Sequence, residues 1–388
     1  TRFAAYIGDA IAHKRANPET VIAVGGCYAE AQRDRLFTLY PEVDVAFGPG
    51  SIPHLGEWLG AGGFGVPRSA FGIGEERRFA AGLPMHRERQ FQAWVQISMG
   101  CNSRCAYCIV PAVRGREVSR RPGEILAEVD RLAHGGVREV TLLGQNVNSW
   151  GRDLLPDLRT EFGELLRACD SVDGIERIRF TSPHPKDFRR PVIEAMAECA
   201  AVCEHAHLPL QSGSTRVLKA MRRTYSRDRY LRLVRELRGS IPDLALTTDI
   251  IVGFPGENEA DFRETMEVVE EVGYDGAFTF VYSPRAGTEA ASMREQVPDD
   301  VKHERIERLV DVVQRVAHAR NEERVGRSEE VLVEGASRTD ASLLRGRTRR
   351  NTTVNFVGEA SPGDLVEVLI ESATSQTLRG VQRAAVAA

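Results

Sequence analysis

Between Trp94 and Gly287 the chain repeats one pattern six times: a short apolar segment closed by turn residues, followed by a stretch with helical spacing. The apolar segments are WVQISMG, REVTLLGQN, RIRFTSPH, HLPLQSG, LALTTDIIVGFPG and GAFTFVYSPRAG. Between them, PGEILAEVDRLAHGG opens on proline and sets Ile125, Leu126, Val129 and Leu132 on one stripe. ENEADFRETMEVVEEVG does the same with Phe262, Met266 and Val269. Six alternations of this kind predict an α/β core with a curved parallel sheet closed wholly or partly into a barrel. An open doubly wound sheet has the same periodicity and stays open as an alternative at this point.

In either architecture, function gathers on the loops after the carboxyl ends of the strands. Gly100, Gly144 to Asn146, Thr181 to Pro183, Gln211 to Gly213, Gly253 to Gly256 and Ser283 to Gly287 fall there. Any one of these could be a plain turn. Six at one end of a sheet are a stronger indication.

On either side of this core the pattern changes. Ala4 to His13 reads as a helix, and VIAVGGCYAE and VDVAFGPG read as strands ending in glycine turns, together resembling half of a small α/β domain. A charged helix from about Val301 to Arg324 carries Ile306, Leu309, Val310, Val313 and Val316 on one side. Beyond it EVLVEG, NTTVNFVG, GDLVEVLI and TLRGV predict a small all-β barrel. The expected division is an incomplete amino-terminal domain over 1–65, a linker over 66–90, the parallel-sheet domain over 91–326 and the β domain over 327–388. A length of 388 residues suits several cores.

The first loop of the core holds GCNSRCAYC, with Cys101, Cys105 and Cys108 spaced by four and three. Thiolates are soft ligands that favour zinc or iron-sulfur clusters. Structural zinc wants four ligands, and here it would have to recruit a distant group such as His86 or Cys27. Three thiolates suit a four-iron cube with one iron left open for chemistry. Seven cysteines, an odd number thinly spread, do not make a disulfide framework. Cys169, Cys199 and Cys203 read as small apolar groups, although a helix would put the last two on one face.

The spacing Cys-x3-Cys-x2-Cys, with Tyr107 before the last cysteine, resembles the signature of radical S-adenosylmethionine enzymes. CNSRCAYCIVPAVRGREVSRRPGEI, REVTLLGQNVNSWG, HLPLQSGSTRVLKAMRRTYSRDRY and TDIIVGFPGENEADF resemble the methylthiotransferases of that superfamily. With GCYAE and the β tail included, the likeness covers nearly the whole chain. It implies a partial (β/α)6 radical S-adenosylmethionine barrel between an amino-terminal α/β domain and a TRAM RNA-binding barrel. It also implies a [4Fe-4S] cluster on Cys101, Cys105 and Cys108, with S-adenosylmethionine on its open iron. Gly144, Gln145, Asn146, Ser182, Gln211, Arg223, Asp249, Gly253 and Phe254 would then line the cofactor and substrate cavity. No residue is singled out for the catalytic step itself.

Within the family, LGQNVNSW and VPAVRGREVSR are most similar to the branch that methylthiolates C2 of N6-isopentenyladenosine-37 in tRNA. Methylthiolation of threonylcarbamoyladenosine or of a ribosomal-protein aspartate is the neighbouring alternative, and a non-catalytic RNA-binding iron-sulfur protein the distant one. The resemblance further implies an auxiliary [4Fe-4S] cluster, for which Cys27 matches the last of three ligands. The chain opens at Thr1 without the other two, so the expectation is that this cluster is absent or defective here and the complete reaction impaired.

Expected partners are the tRNA anticodon arm and a flavodoxin or ferredoxin-type reductant, acting on a cytoplasmic monomer. Arg345, Arg347, Arg349 and Arg350 are the expected phosphate contacts of the β domain. Arg114, Arg116 and Arg120 could steer phosphate or pair with carboxylates. The net charge of −4 neither demands nor excludes nucleic acid, and no apolar run is long enough to cross a bilayer.

Overall fold

A computed structural model describes residues 2–54, 69–72, 79, 87–156 and 160–383. The chain divides into two compact units, one of Thr1–His86, Met99–Ser103 and Ile109–Val118, the other of Arg87–Ser98, Arg104–Cys108 and Ser119–Ala388.

In the first unit a helix, Arg2–Ala16, precedes three short parallel strands, β1 (Ala23–Gly25), β2 (Val45–Phe47) and β3 (Ser69–Ala70), paired in that order. Ile7, Ile22, Val24, Leu36, Val43 and Ala46 form its apolar core. The third strand falls in the segment read as linker, because two residues are too few to show an alternating period. Most of 66–90, His86 included, lies outside the described residues.

The second unit begins at β4 (Gln92–Gln96). Two two-residue strands, β5 (Ser98–Met99) and β6 (Val118–Ser119), flank the cysteine loop. The remaining core strands are β7 (Glu139–Leu143), β8 (Arg177–Phe180), β9 (His205–His207), β10 (Ala245–Val252) and β11 (Gly276–Val281). Pairing is parallel throughout, with Trp94 opposite Thr141, Thr141 opposite Arg179, His207 opposite Thr247 and Asp249 opposite Phe278. Ile178 bridges Val202, just before β9, which joins the two triplets of strands. The order is therefore sequential from β4 to β11. A doubly wound sheet reverses direction part way; this one does not, so the partial barrel is the observed fold.

Helices Pro122–His134, Phe162–Asp170, Arg190–Glu198, Arg227–Ser240 and Glu259–Val272 follow the strands. Their apolar stripes close one continuous core that includes Ile125, Val129, Leu166, Ile178, Phe262 and Val269. At about 25 cal/mol per Å² of apolar surface, burial of this kind is the main stabilising contribution. Cys169, Cys199 and Cys203 are buried in this unit. Burial pushes the Cys169 thiol up to about 12 and the Cys199 thiol up to about 11, as befits inert apolar packing. Because the helix ends at Glu198, Cys199 and Cys203 share no helical face.

Helix Asp299–Glu322 leads to the tail, a closed five-stranded barrel ordered β12 (Ser328–Ala336), β13 (Leu344–Thr348), β14 (Thr353–Val357), β16 (Thr377–Gln382), β15 (Leu365–Ala373). Val331, Val333, Val354, Phe356, Val368 and Ile370 fill it. The barrel seats against the amino ends of the core strands through arginines. Arg177 pairs with Glu330 at 2.7 Å and donates to the Arg347 carbonyl. Arg179 pairs with Glu139 and donates to the Thr348 and Arg349 carbonyls. In return Arg349 pairs with Glu204 at 2.8 Å and Arg350 with Asp275 at 2.5 Å. These contacts occupy one end of the sheet and leave the carboxyl ends of its strands for the site.

Candidate radical-enzyme site

Of the three cysteines, Cys101 falls in the first unit and Cys105 and Cys108 in the second. In the first, Gly100 has φ of +78°, and a Cβ there would stand 2.1 Å from the Arg116 carbonyl oxygen. Only glycine fits this approach. The Cys101 amide donates to the Gly115 carbonyl at 3.0 Å, and its sulfur accepts from the Ser103 amide at 3.4 Å. In the second unit Ala106 pins the loop, donating to the Met221 carbonyl and accepting from the Ala290 amide. Beneath it lie Val217, Met221, Phe254, Tyr282 and Ala290.

All three sulfurs are unoxidised, half-buried thiols, and Arg223 Nη1 donates to Cys105 Sγ at 3.4 Å. The donor set fits an iron-sulfur cluster: soft ligands within eight residues, with a cation beside one of them. Among the described residues no three His, Cys, Asp or Glu side chains are gathered as a ready metal cage. The ligands are present without being drawn into coordination geometry.

At the carboxyl ends of the neighbouring strands, the structure keeps polar atoms unsatisfied. Asn146 is buried after β7; its amide nitrogen donates to Asp187 at 2.7 Å, but its Oδ1 has no partner among the described residues. Ser98 Oγ is buried and, among the described residues, unpartnered as well. A Cβ on Gly144 would lie 2.4 Å from that same oxygen, so the glycine keeps the space over it open. Buried polar atoms without partners cost about 1–3 kcal/mol each, and a bound polar ligand would remove that cost.

Two further predicted residues are held in left-handed backbone: Ser182, after β8, at φ of +58°, and Gln211, after β9, at +69°. Strain of this kind at non-glycine residues concentrates at functional sites. Gln211 is secured on both sides, its amide donating to the Asp249 carbonyl and its carbonyl accepting from Ile251. Asp249 itself faces His207 Nε2 at 3.3 Å.

Other candidates are placed differently. Phe254 is fully buried, edge-on to Tyr107 and Tyr282, so it supports the loop from below. Gly253 has φ of +73° and donates its amide to Glu257. Arg120 is buried against Glu128 at 2.6 Å, a structural pair. Within the first unit Arg114 Nε donates to Cys27 Sγ at 3.1 Å, while Arg116 is exposed. Of the four clustered arginines of the β domain, Arg345, Arg347, Arg349 and Arg350, the last two are committed to holding the barrel, as described above. Arg345 and Arg347 turn towards Glu334 at 3.4 and 3.3 Å. A charge cluster in the sequence thus becomes largely an internal ion-pair network.

Sequence reading missed Ser98, His184 and Tyr225. His184 is buried after β8, and desolvation, with Arg223 and Lys186 nearby, pushes its pKa down to about 2. Its amide donates to Asn148 Oδ1, and Asn148 Nδ2 donates to its carbonyl. Tyr225 Oη accepts from Arg223 Nε at 3.0 Å. For Ser98 and His184 the sequence signal was proximity to strand ends; Tyr225, between helices Thr215–Ala220 and Arg227–Ser240, had none.

Residues 95–269 match the Radical SAM superfamily and residues 322–381 the TRAM domain. The core and tail therefore define a radical S-adenosylmethionine protein with a TRAM barrel. A tRNA-2-methylthio-N(6)-dimethylallyladenosine synthase of Mycolicibacterium smegmatis is 48% identical over 375 residues, covering 94% of this chain and 73% of that protein. Proteins of the same name from Acidothermus cellulolyticus and Carboxydothermus hydrogenoformans are 50% and 46% identical. The first alignment covers 94% of this chain and 74% of the relative, the second 97% and 86%. The chain belongs to the radical S-adenosylmethionine methylthiotransferases that modify tRNA. Among solved structures, the cobalamin-dependent radical enzyme OxsB aligns at a TM-score of 0.49 and 14% identity, over 81% of this chain and 46% of that one, too distant to carry an argument.

Proposed function

We propose that this chain takes part in methylthiolation at C2 of N6-isopentenyladenosine-37 in tRNA. The observation that carries the reading is 46–50% identity, across at least 94% of the chain, to synthases named for that product. Cys101, Cys105 and Cys108 would hold a [4Fe-4S] cluster, which with S-adenosylmethionine would supply one-electron reductive chemistry.

The chain's own residues then bind and orient. Gly144 keeps space open beside Ser98, whose hydroxyl can donate to or accept from the polar end of the cofactor, while Asn146 Oδ1 accepts a hydrogen bond from it. Gln145, Ser182, Gln211 and Asp249 fix a ligand over the strand ends, with Gly253 and Phe254 shaping the floor. Holding reactants in a dry, ordered cavity supplies much of the rate. Cys27, to which Arg114 donates, would be one ligand of an auxiliary [4Fe-4S] cluster; such a cluster would need two further thiolates, and without them the complete reaction would be impaired. The TRAM barrel grips the anticodon arm, with Arg345 and Arg347 the phosphate contacts and Arg349 and Arg350 its anchors. Electrons come from a flavodoxin or ferredoxin-type donor, in the cytoplasm. Among the described residues no helix is long and apolar enough to cross a membrane.

Nucleoside mass spectrometry of tRNA from a deletion strain tests the substrate. Loss of 2-methylthio-N6-isopentenyladenosine, with accumulation of its unthiolated precursor, is expected. Loss of a methylthiolated threonylcarbamoyladenosine or ribosomal aspartate instead would overturn the assignment.

A further inference from the structure

Arg223 stands in a setting that a structural arginine seldom occupies. Among the described residues no carboxylate lies within ion-pair distance of it, whereas Arg222 beside it pairs with Glu289 at 2.8 Å. Its Nη1 donates to Cys105 Sγ at 3.4 Å and its Nε to Tyr225 Oη at 3.0 Å. Tyr225 is only 6% exposed and donates in turn to the Pro209 and Leu210 carbonyls, at 2.8 and 3.1 Å. The guanidinium is thus held by a tyrosine that is itself fixed to the segment leading to Gln211. A largely buried cation needs a compensating anion, and the group it meets is a cysteine sulfur.

We propose that Arg223 sets the reduction potential of the cluster through an N–H···S bond to Cys105, with Tyr225 the positioning residue that fixes its aim. The inference rests on the cluster reading above. Hydrogen bonds to cluster sulfurs and nearby charge are principal determinants of potential. Reduction adds negative charge to the cluster, so a guanidinium at a ligand sulfur favours the reduced form and raises the potential. Removing it makes the electron harder to deliver. Tyr225 leaves the charge in place but governs its direction, so its loss acts the same way to a smaller extent.

The test is an anaerobic redox titration of the reconstituted full chain, followed by electron paramagnetic resonance. Arg223→Met is expected to lower the midpoint by at least a factor of ten in the one-electron equilibrium, about 59 mV. Tyr225→Phe should shift it less and in the same direction, and Arg223→Lys should recover part of the loss. An unchanged midpoint in Arg223→Met and Tyr225→Phe, at wild-type iron and sulfide content, overturns the proposal. Should Arg223→Met fail to load, Tyr225→Phe decides alone: a lowered midpoint supports the proposal and an unchanged one overturns it. Wild-type protein that takes up no iron and sulfide overturns the cluster reading itself, a result distinct from a loaded cluster whose potential ignores Arg223.

Discussion

The two ends of the parallel sheet are built from similar residues to opposite effect. At the amino ends, Arg177, Arg179, Arg349 and Arg350 each meet a carboxylate. At the carboxyl ends, Asn146 and Ser98 keep buried oxygens without partners, Ser182 and Gln211 hold strained backbone, and Arg223 faces a thiol instead of an acid. One end is internally satisfied and carries the barrel. The other presents buried polar atoms to which a bound polar ligand would contribute hydrogen bonds.

The largest expected contrast comes from the cysteines. Cys105→Ala should abolish cluster iron and sulfide on reconstitution with only a small shift of the denaturation midpoint, because the thiol is half-buried and its substitution removes a single long hydrogen bond from Arg223. At the opposite end, Arg350→Met should leave iron uptake intact but cost about 1–3 kcal/mol, measured by urea unfolding, because among the described residues the buried Asp275 carboxylate keeps only Arg320 at 3.8 Å and the Leu246 amide at 2.8 Å. Equal effects of the two substitutions on both readouts would erase the distinction between the ends.

Smaller effects sharpen it. Gln211→Gly relieves a left-handed residue, so stability should change by less than about 1 kcal/mol. S-adenosylmethionine cleavage should nonetheless fall about tenfold, the worth of one hydrogen bond; retained activity would place Gln211 outside the cavity. His184 gives the mildest signal. Its folded pKa, near 2, lies below the usual 6.5, so the unfolded state binds the extra proton between those values. Its contribution to stability is therefore full above pH 6.5 and is lost as pH falls towards 2. His184→Gln should flatten that part of the acid limb in stability measured against pH, and an unaltered slope would contradict the burial of a neutral ring.

Much of this contrast was legible in the sequence because it follows from period and spacing. Six apolar segments ending in turn residues were enough to locate the strand ends, and GCNSRCAYC to locate the loop. The helix stripes through Ile125 and Phe262 were equally direct. What pattern could not supply was pairing across distance. The partner of Arg350 is Asp275, 75 positions away, and no local signal separates such an anchor from an arginine free to meet phosphate. Nor does a serine preceding a glycine turn announce that Ser98 Oγ is orphaned; that depends on Gly144, brought near by the pairing of β4 with β7. Strand β3 escaped notice since its two residues carry no alternation, while the fourth segment, read as HLPLQSG, has its paired strand two residues earlier, in the polar HAH of β9.

Whatever chemistry the proposed function assigns to this chain turns on whether Cys101, Cys105 and Cys108 hold a radical-generating cluster. The most direct test is formation of 5′-deoxyadenosine from S-adenosylmethionine by the anaerobically reconstituted full chain under strong reductant, compared with Cys105→Ala. The account predicts product from the wild-type chain at iron and sulfide contents fitting a four-iron cluster, and none from the variant. Bound zinc without sulfide, together with tRNA binding and no 5′-deoxyadenosine, would contradict it.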